Sequence, residues 1–289
     1  MLQQNTVDDF LDNYLDGRDD GDVAERIAKN QAAVGKSVDD WIPPSGPELV
    51  ENPENKKLSK RTLAAVFAIL ILIPITIWAG VTFGGDRRYM LVALCIIVYT
   101  MAPFFMVFEG RKPRARELMV LAVLIAIAVV GRLIFFMVPH FKPVTAIIII
   151  AGICFGAESG FMVGAMSGLM SNIFFGQGPW TPYQMFAWGI IGFLAGILFK
   201  KGKLKATKPS LCVYGFLATF FIYGGLMDTA SPLMFYQGSL SLAAFLPYYV
   251  SGAPVNLVHA ASTVIFLFVA ARPMIEKLER IKVKYGLIE

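Results

Sequence analysis

Apolar residues run almost unbroken through eight stretches of the chain: Leu63 to Phe83, Tyr89 to Val107, Leu118 to Val138, Val144 to Phe155, Gly160 to Phe175, Met185 to Leu198, Leu211 to Met227 and Ala253 to Ala271. A hydrocarbon core of about 30 Å takes about 20 helical residues, so these runs read as membrane-spanning helices. The fourth, fifth and sixth are short, as in compact polytopic cores where neighbouring helices rather than lipid cover the ends. Only "GAES", Gly156 to Ser159, separates the fourth from the fifth. The pattern predicts an all-α polytopic membrane protein.

Small residues recur within the runs at helical spacing. Gly160, Gly164 and Gly168 in "GFMVGAMSG" fall on one face, as do Gly192 and Gly196 in "GFLAG". Such faces let backbones approach closely and gain dispersion contacts, so they read as packing surfaces. Ala122 and Ala126 in "AVLIA" form a similar shallow groove near the start of the third span. Internal packing and a partner surface are both open there.

Composition agrees with the pattern. The 289 residues are 56% hydrophobic and 16% charged, with mean hydropathy +0.61, against about 25% charged in soluble domains. The charges are segregated. Most acidic residues precede Asn55, in segments such as "DDFLDNYLDGRDDGDVAER", and the remainder of the chain is basic. The N-terminus has no signal-peptide pattern, so residues 1–58 read as an acidic, flexible cytosolic tail.

Lys and Arg in short loops favour the cytoplasmic side. One assignment puts "KKLSKR", "GRKPRAR", "KKGKLKATK" and "RPMIEKLERIKVK" inside and leaves Arg87, Arg88 and Lys142 outside. It predicts eight spans with both termini cytoplasmic, in the plasma membrane of a prokaryote. The net charge of +5 follows from this asymmetry, so no nucleic-acid partner is needed to explain it. Cys95, Cys154 and Cys212 lie in apolar runs without metal-like spacing and read as packing residues.

Candidate chemistry gathers at the outer level. "FFGQGPWTPYQMFAWG", Phe174 to Gly189, returns the chain to the membrane across a short gap. Pro182 stands near the start of the next helix, where its missing N–H is harmless. Trp180, Tyr183 and Trp188 suit an aromatic belt at headgroup depth. They equally suit the wall of an outward pocket, with Gln177 and Gln184 supplying amides. "PHFKP", Pro139 to Pro143, is a stiff connector at the same level, and Asp228 to Gly252 reads as a long aromatic outer loop that caps the core. Below these loops lie Arg132, Asn172, Asn256 and His259. A buried arginine is costly unless it snorkels or is paired, so Arg132 either reaches the headgroups or serves as a pocket cation for an anionic or carbonyl-bearing ligand. Asn256 and His259 are three apart and share a helix face. Cross-helix bonding and a shared ligand site both account for the polar set.

The last six spans resemble the substrate-binding membrane subunit, or S-component, of an energy-coupling factor (ECF) vitamin importer. The matching features are Ala122-x-x-x-Ala126, the proline-bounded "PHFKPVTA", the glycine-rich "GICFGAESGFMVGAMSGLMSN" and "FGQGPWTPYQMFAWG". The resemblance implies a division into the tail, two additional transmembrane helices over residues 59–108, and a six-helix substrate-binding core over residues 109–289. It implies that Ala122 and Ala126 contact a transmembrane coupling subunit, below which two ATP-binding cassette ATPases act. It also implies a vitamin or related micronutrient captured from outside, in a pocket for which Arg132, Asn172, Gln177, Trp180, Tyr183, Gln184, Asn256 and His259 are the candidate lining residues. "GQGPWTP" looks most like cobalamin-type members. The two extra helices and the acidic tail depart from the family's pattern.

Absent motifs fit binding without chemistry. The chain has no GxxxxGK[ST] phosphate loop, and its spans carry no mid-membrane Asp or Glu of the kind that relays protons or sodium in secondary carriers. Its two histidines and lack of a carboxylate cluster argue against an enzyme. The expectation is a subunit with no catalytic residues, no metal and no cofactor. A stand-alone carrier or membrane scaffold is the alternative.

Overall fold

The computed structural model describes residues 71, 72, 75, 76, 78 and 79, residues 88–285 apart from 111, 112, 201 and 236–240, and residue 287. The expected acidic tail over residues 1–58 and most of the first extra span lie outside the described residues.

Seven helices follow: α1 Arg88–Gly110, α2 Ala115–Ile134, α3 Val144–Phe155, α4 Ala157–Phe175, α5 Thr181–Ala195, α6 beginning with Lys208–Leu217, and α7 Leu242–Lys284. Helix α5 runs on through a π-helical turn at Gly196–Lys200. Helix α6 runs through a π-helical segment, Ala218–Gly224, into Gly225–Phe235. Among the described residues, five segments are long and apolar enough to cross a membrane: Leu91–Gly110, Ala115–Ile134, Thr181–Lys200, Lys208–Phe235 and Leu242–Lys282. The chain is a multi-pass, all-α membrane protein.

Helix α3 is the hub. Its 12 residues, VTAIIIIAGICF, are all buried, as expected for a helix apolar on every side. Protein surrounds it, so it need not be as long as a lipid-facing span. It starts directly after Pro143 and stops at Gly156, whose φ of 99° lies in the left-handed region glycine favours. The stop is one residue long. Helix α4 begins at Ala157, so the expected break "GAES" reduces to Gly156.

Glycines set how closely the central helices pack. A Cβ on Gly152 or Gly160 would overlap the carbonyl oxygen of Gly192, so α3, α4 and α5 meet backbone to backbone. A Cβ on Gly164 would lie 2.5 Å from the Trp188 carbonyl carbon, and one on Gly196 would lie 2.5 Å from Ala157 Cα. The glycine faces predicted from spacing are these contacts.

Two features differ from expectation. The long outer loop predicted over Asp228 to Gly252 is helical through Phe235 and again from Leu242. Pro232, Pro247 and Pro254 lie inside helices, and within a bundle neighbouring groups can satisfy the backbone atoms a proline frees. Secondly, helix α1 is keyed into the core. Phe104 stacks on Phe161 of α4 with ring centroids 4.2 Å apart and meets Phe193 of α5 edge-on at 5.1 Å. Phe108 belongs to the same buried cluster as Leu121, Ile148 and Trp188. Packing is continuous across the boundary placed between residues 108 and 109.

Candidate functional site

One end of the bundle collects the end of α2, the end of α4, and the starts of α3 and α5. Arg132 lies in the last turn of α2 and is only 8% exposed. Its Nη1 donates to Ser171 Oγ, and to Asn172 Oδ1 at 2.9 Å, both on α4. Asn172 Nδ2 donates onward to Thr181 Oγ1 at 3.0 Å and to Gln184 Oε1 at 2.8 Å on α5. Gln184 Nε2 donates in turn to the Tyr223 hydroxyl of α6 at 3.2 Å. Each amide is oriented by its neighbours, its oxygen toward the arginine and its nitrogen away, so the dipoles run in one direction from the charge. Such chains strengthen one another in a low-dielectric interior.

Aromatic rings complete the arrangement. The Arg132 guanidinium carbon lies 4.4 Å from the Phe175 ring centroid and 5.2 Å from that of Trp188. Trp188 donates through its indole N–H to Thr145 Oγ1 at 3.1 Å, and Thr145 Oγ1 lies 3.1 Å from His259 Nε2. The Tyr223 ring stacks on Trp188 at 5.0 Å and meets the His259 ring edge-on at 4.8 Å. The cluster thus draws at least one side chain from each of α2 to α7. In the connector after α2, Lys142 Nζ lies 5.0 Å from the same Phe175 ring. Partial burial and then the Arg132 charge hold the Lys142 ammonium below the ordinary lysine value.

Arg132, Asn172 and Gln184 are therefore brought into contact, and His259 joins them through Trp188 and Tyr223. Asn256, one turn before His259, donates to Asp228 Oδ2 at 2.8 Å instead. It packs against Gly224, where a Cβ would come within 2.5 Å of the Asn256 amide. Gln177 is exposed and donates to the Leu169 carbonyl at 3.0 Å, helping to close the end of α4. Trp180 precedes α5 with its ring against Gly178, where a Cβ would lie 2.5 Å from the ring. Tyr183 is 6% exposed and faces Ile97 of α1 and Ala230 of α6, away from Gln184. One residue turns a helix by about 100°, so neighbours in sequence face different partners. The Tyr183 hydroxyl has no hydrogen-bond partner among the described residues.

Thr145, Ser171, Thr181 and Tyr223 belong to the cluster and were not among the expected lining residues; Trp188, weighed as a belt or a wall ring, belongs to it as well. Trp188 carries a readable signal, since it follows Gln184 by four residues and shares its helix face. Tyr223 carries none, because the π-helical segment of α6 shifts the register by which it reaches Gln184. On α2, Ala122 and Ala126 lie on the exposed face beside Met119, Val123 and Ile127. Ala122 is 10 residues and Ala126 is 6 residues before Arg132, about 15 Å and about 9 Å along the helix.

Residues 116–274 match the family model of the ECF transporter substrate-specific component. The match covers more than half of the chain and runs from α2 into α7, the helices that build the polar cluster. The chain belongs to the family of substrate-specific components of ECF transporters. No curated protein and no solved structure matches it. Membership in this family implies association with an ECF coupling and ATPase module.

Proposed function

We propose that the chain captures a vitamin or related micronutrient at the end of the bundle marked by Arg132 and delivers it inward with a transmembrane coupling subunit and two ATP-binding cassette ATPases. The observation that carries this reading is the convergence of polar and aromatic side chains from α2 to α7 on one cluster. Ligand sites in helix bundles combine mostly apolar and aromatic walls with a few placed polar groups. Arg132, Asn172, Gln184 and His259 supply polar contacts, and Trp180 covers the loop beside them. Gln177, Tyr183 and Asn256 act from the surround, Tyr183 by holding α5 against α1 and α6. The cluster faces outward, and both termini are cytoplasmic, in the plasma membrane of a prokaryote.

The subunit carries out no chemical step. Ala122 and Ala126, exposed on α2, form the flat surface on which the coupling subunit docks, and ATP hydrolysis in the partners supplies the work. The "GQGPWTP" loop favours a cobalamin-type ligand by resemblance alone, whereas the charge of the cluster favours a small acid in its place.

Affinity purification of the full chain from its own membrane tests the reading. Recovery of a coupling subunit with two ATPases, and solute uptake that requires ATP, are the expected results. Uptake by the chain alone without ATP would make it a secondary carrier, and product formation by the isolated chain would make it an enzyme.

A further inference from the structure

The polar cluster is balanced in hydrogen bonds and unbalanced in charge. Arg132 is more than nine-tenths buried, and its hydrogen bonds go to the neutral side chains of Ser171 and Asn172. No carboxylate among the described residues pairs with it. Asp228, the carboxylate of α6 at this end of the bundle, accepts from Asn256 instead. Glu117 and Glu158 stand in the first turns of α2 and α4, at the opposite end. The rings of Phe175 and Trp188 soften the arginine's isolation without neutralising it. Lys142 over the same Phe175 ring adds a second cation. Taking a guanidinium out of water costs several kcal/mol unless an anion offsets it. An arginine buried this deeply is ordinarily paired with an anion.

The guanidinium also presents a free edge. Both hydrogen bonds use Nη1, which leaves Nε and Nη2, the side-on pair that suits a planar anion, without a bond among the described residues. These nitrogens are not sealed. Among the described residues, the buried side-chain atoms shut off without a partner are Ser167 Oγ and the Tyr183 hydroxyl.

The geometry points to an anionic ligand: a small organic carboxylate or phosphate whose charged end docks against the Nε and Nη2 edge of Arg132, with Lys142 as the second cation. This assignment rests on the chain being a substrate-binding subunit. Purification with the coupling module decides that reading separately, since the test below uses the isolated full chain.

The chain is placed in phosphatidylcholine nanodiscs and its melting temperature followed with matched acid and neutral probes. These are nicotinate and nicotinamide, pantothenate and panthenol, biotin and biotin methyl ester, and pyridoxal 5′-phosphate and pyridoxal. At least one acid is expected to stabilise the parent chain while its neutral counterpart does not. Arg132→Gln should lose that response and, relieved of an unpaired charge, melt no lower than the parent without ligand. Arg132→Lys keeps the charge and loses the planar fork, so it should bind the acid at least about tenfold more weakly. The assignment is overturned if Arg132→Gln melts lower, if a neutral probe matches its acid, if Arg132→Lys binds like the parent, or if no acid responds. A response that appears only when phosphatidylglycerol replaces phosphatidylcholine assigns the anion to a lipid headgroup, and overturns it as well.

Discussion

Replacing Asn172 by Asp adds a carboxylate of nearly the same shape beside the buried guanidinium. Asn172 Oδ1 lies 2.9 Å from Arg132 Nη1 and the residue is 1% exposed, so the new charge meets Arg132 with little movement. With charge centres about 4 Å apart and an effective dielectric near 20, the attraction is about 4 kcal/mol. Desolvating the carboxylate costs several kcal/mol and takes back most of that, leaving about 1 kcal/mol of stabilisation. Gln184 can turn its amide over, donating to the new oxygen and accepting from the Tyr223 hydroxyl. Asn172→Asp should therefore raise the melting temperature of the ligand-free chain by about 2–4 °C.

Asn172→Leu makes the contrast. It removes one charge-assisted hydrogen bond, about 2 kcal/mol, and two neutral ones of about 1 kcal/mol each. Re-pairing within a membrane roughly halves such losses, to about 2 kcal/mol, so its melting temperature should fall by about 4–8 °C. Both variants should weaken binding of an acidic ligand, Asn172→Asp because its carboxylate neutralises the guanidinium from the Nη1 side and repels a second anion, Asn172→Leu because the guanidinium loses the contact that orients it. Thermal unfolding in nanodiscs, with and without ligand, reads both effects. If Asn172→Asp destabilises the chain as much as Asn172→Leu, Arg132 does not lack a counter-charge and the reasoning fails.

The remaining predictions address other surfaces. Leucine at both Ala122 and Ala126 should abolish ATP-driven uptake and leave ligand affinity of the isolated chain unchanged; lost ligand binding would mean internal packing. Deleting residues 1–87 should leave a monodisperse protein, whereas deletion through residue 108 removes Phe104 and Phe108 from the core and should lower thermal stability measurably by fluorescence-detected melting. Equal stability of the two truncations would show that α1 is dispensable. Trp180→Ala should weaken ligand binding by about 2 kcal/mol, or about thirtyfold in a titration, while Trp78→Ala does nothing. A loss of stability without a loss of affinity would make Trp180 an interfacial anchor.

The spans from the second onward were legible because hydrophobic length is a one-dimensional signal, and the glycine faces because residues four apart share a helix side. The common depth of Arg132 and Asn172 was legible from distance to a span end alone. Facing was harder. Tyr183 and Gln184 are neighbours in a quoted motif, yet α5 turns one to α1 and α6 and the other to Asn172. The loop expected over Asp228 to Gly252 proved helical through Phe235 and again from Leu242, with Pro232 and Pro247 inside the helices, because neighbouring helices can satisfy backbone groups that water would otherwise have to. Thr145 and Tyr223 could not be assigned from sequence, since each acts through contacts more than 35 positions away.

The central claim is that the cluster around Arg132 holds the ligand of an importer subunit, and the most direct measurement is of what that cluster carries. The full chain and Arg132→Gln are purified in parallel from the native membrane, denatured, and their released small molecules compared by mass spectrometry. The account predicts one small acid in near-stoichiometric amount with the parent chain and absent from the variant. The same released molecules from both, or none from either, would contradict it.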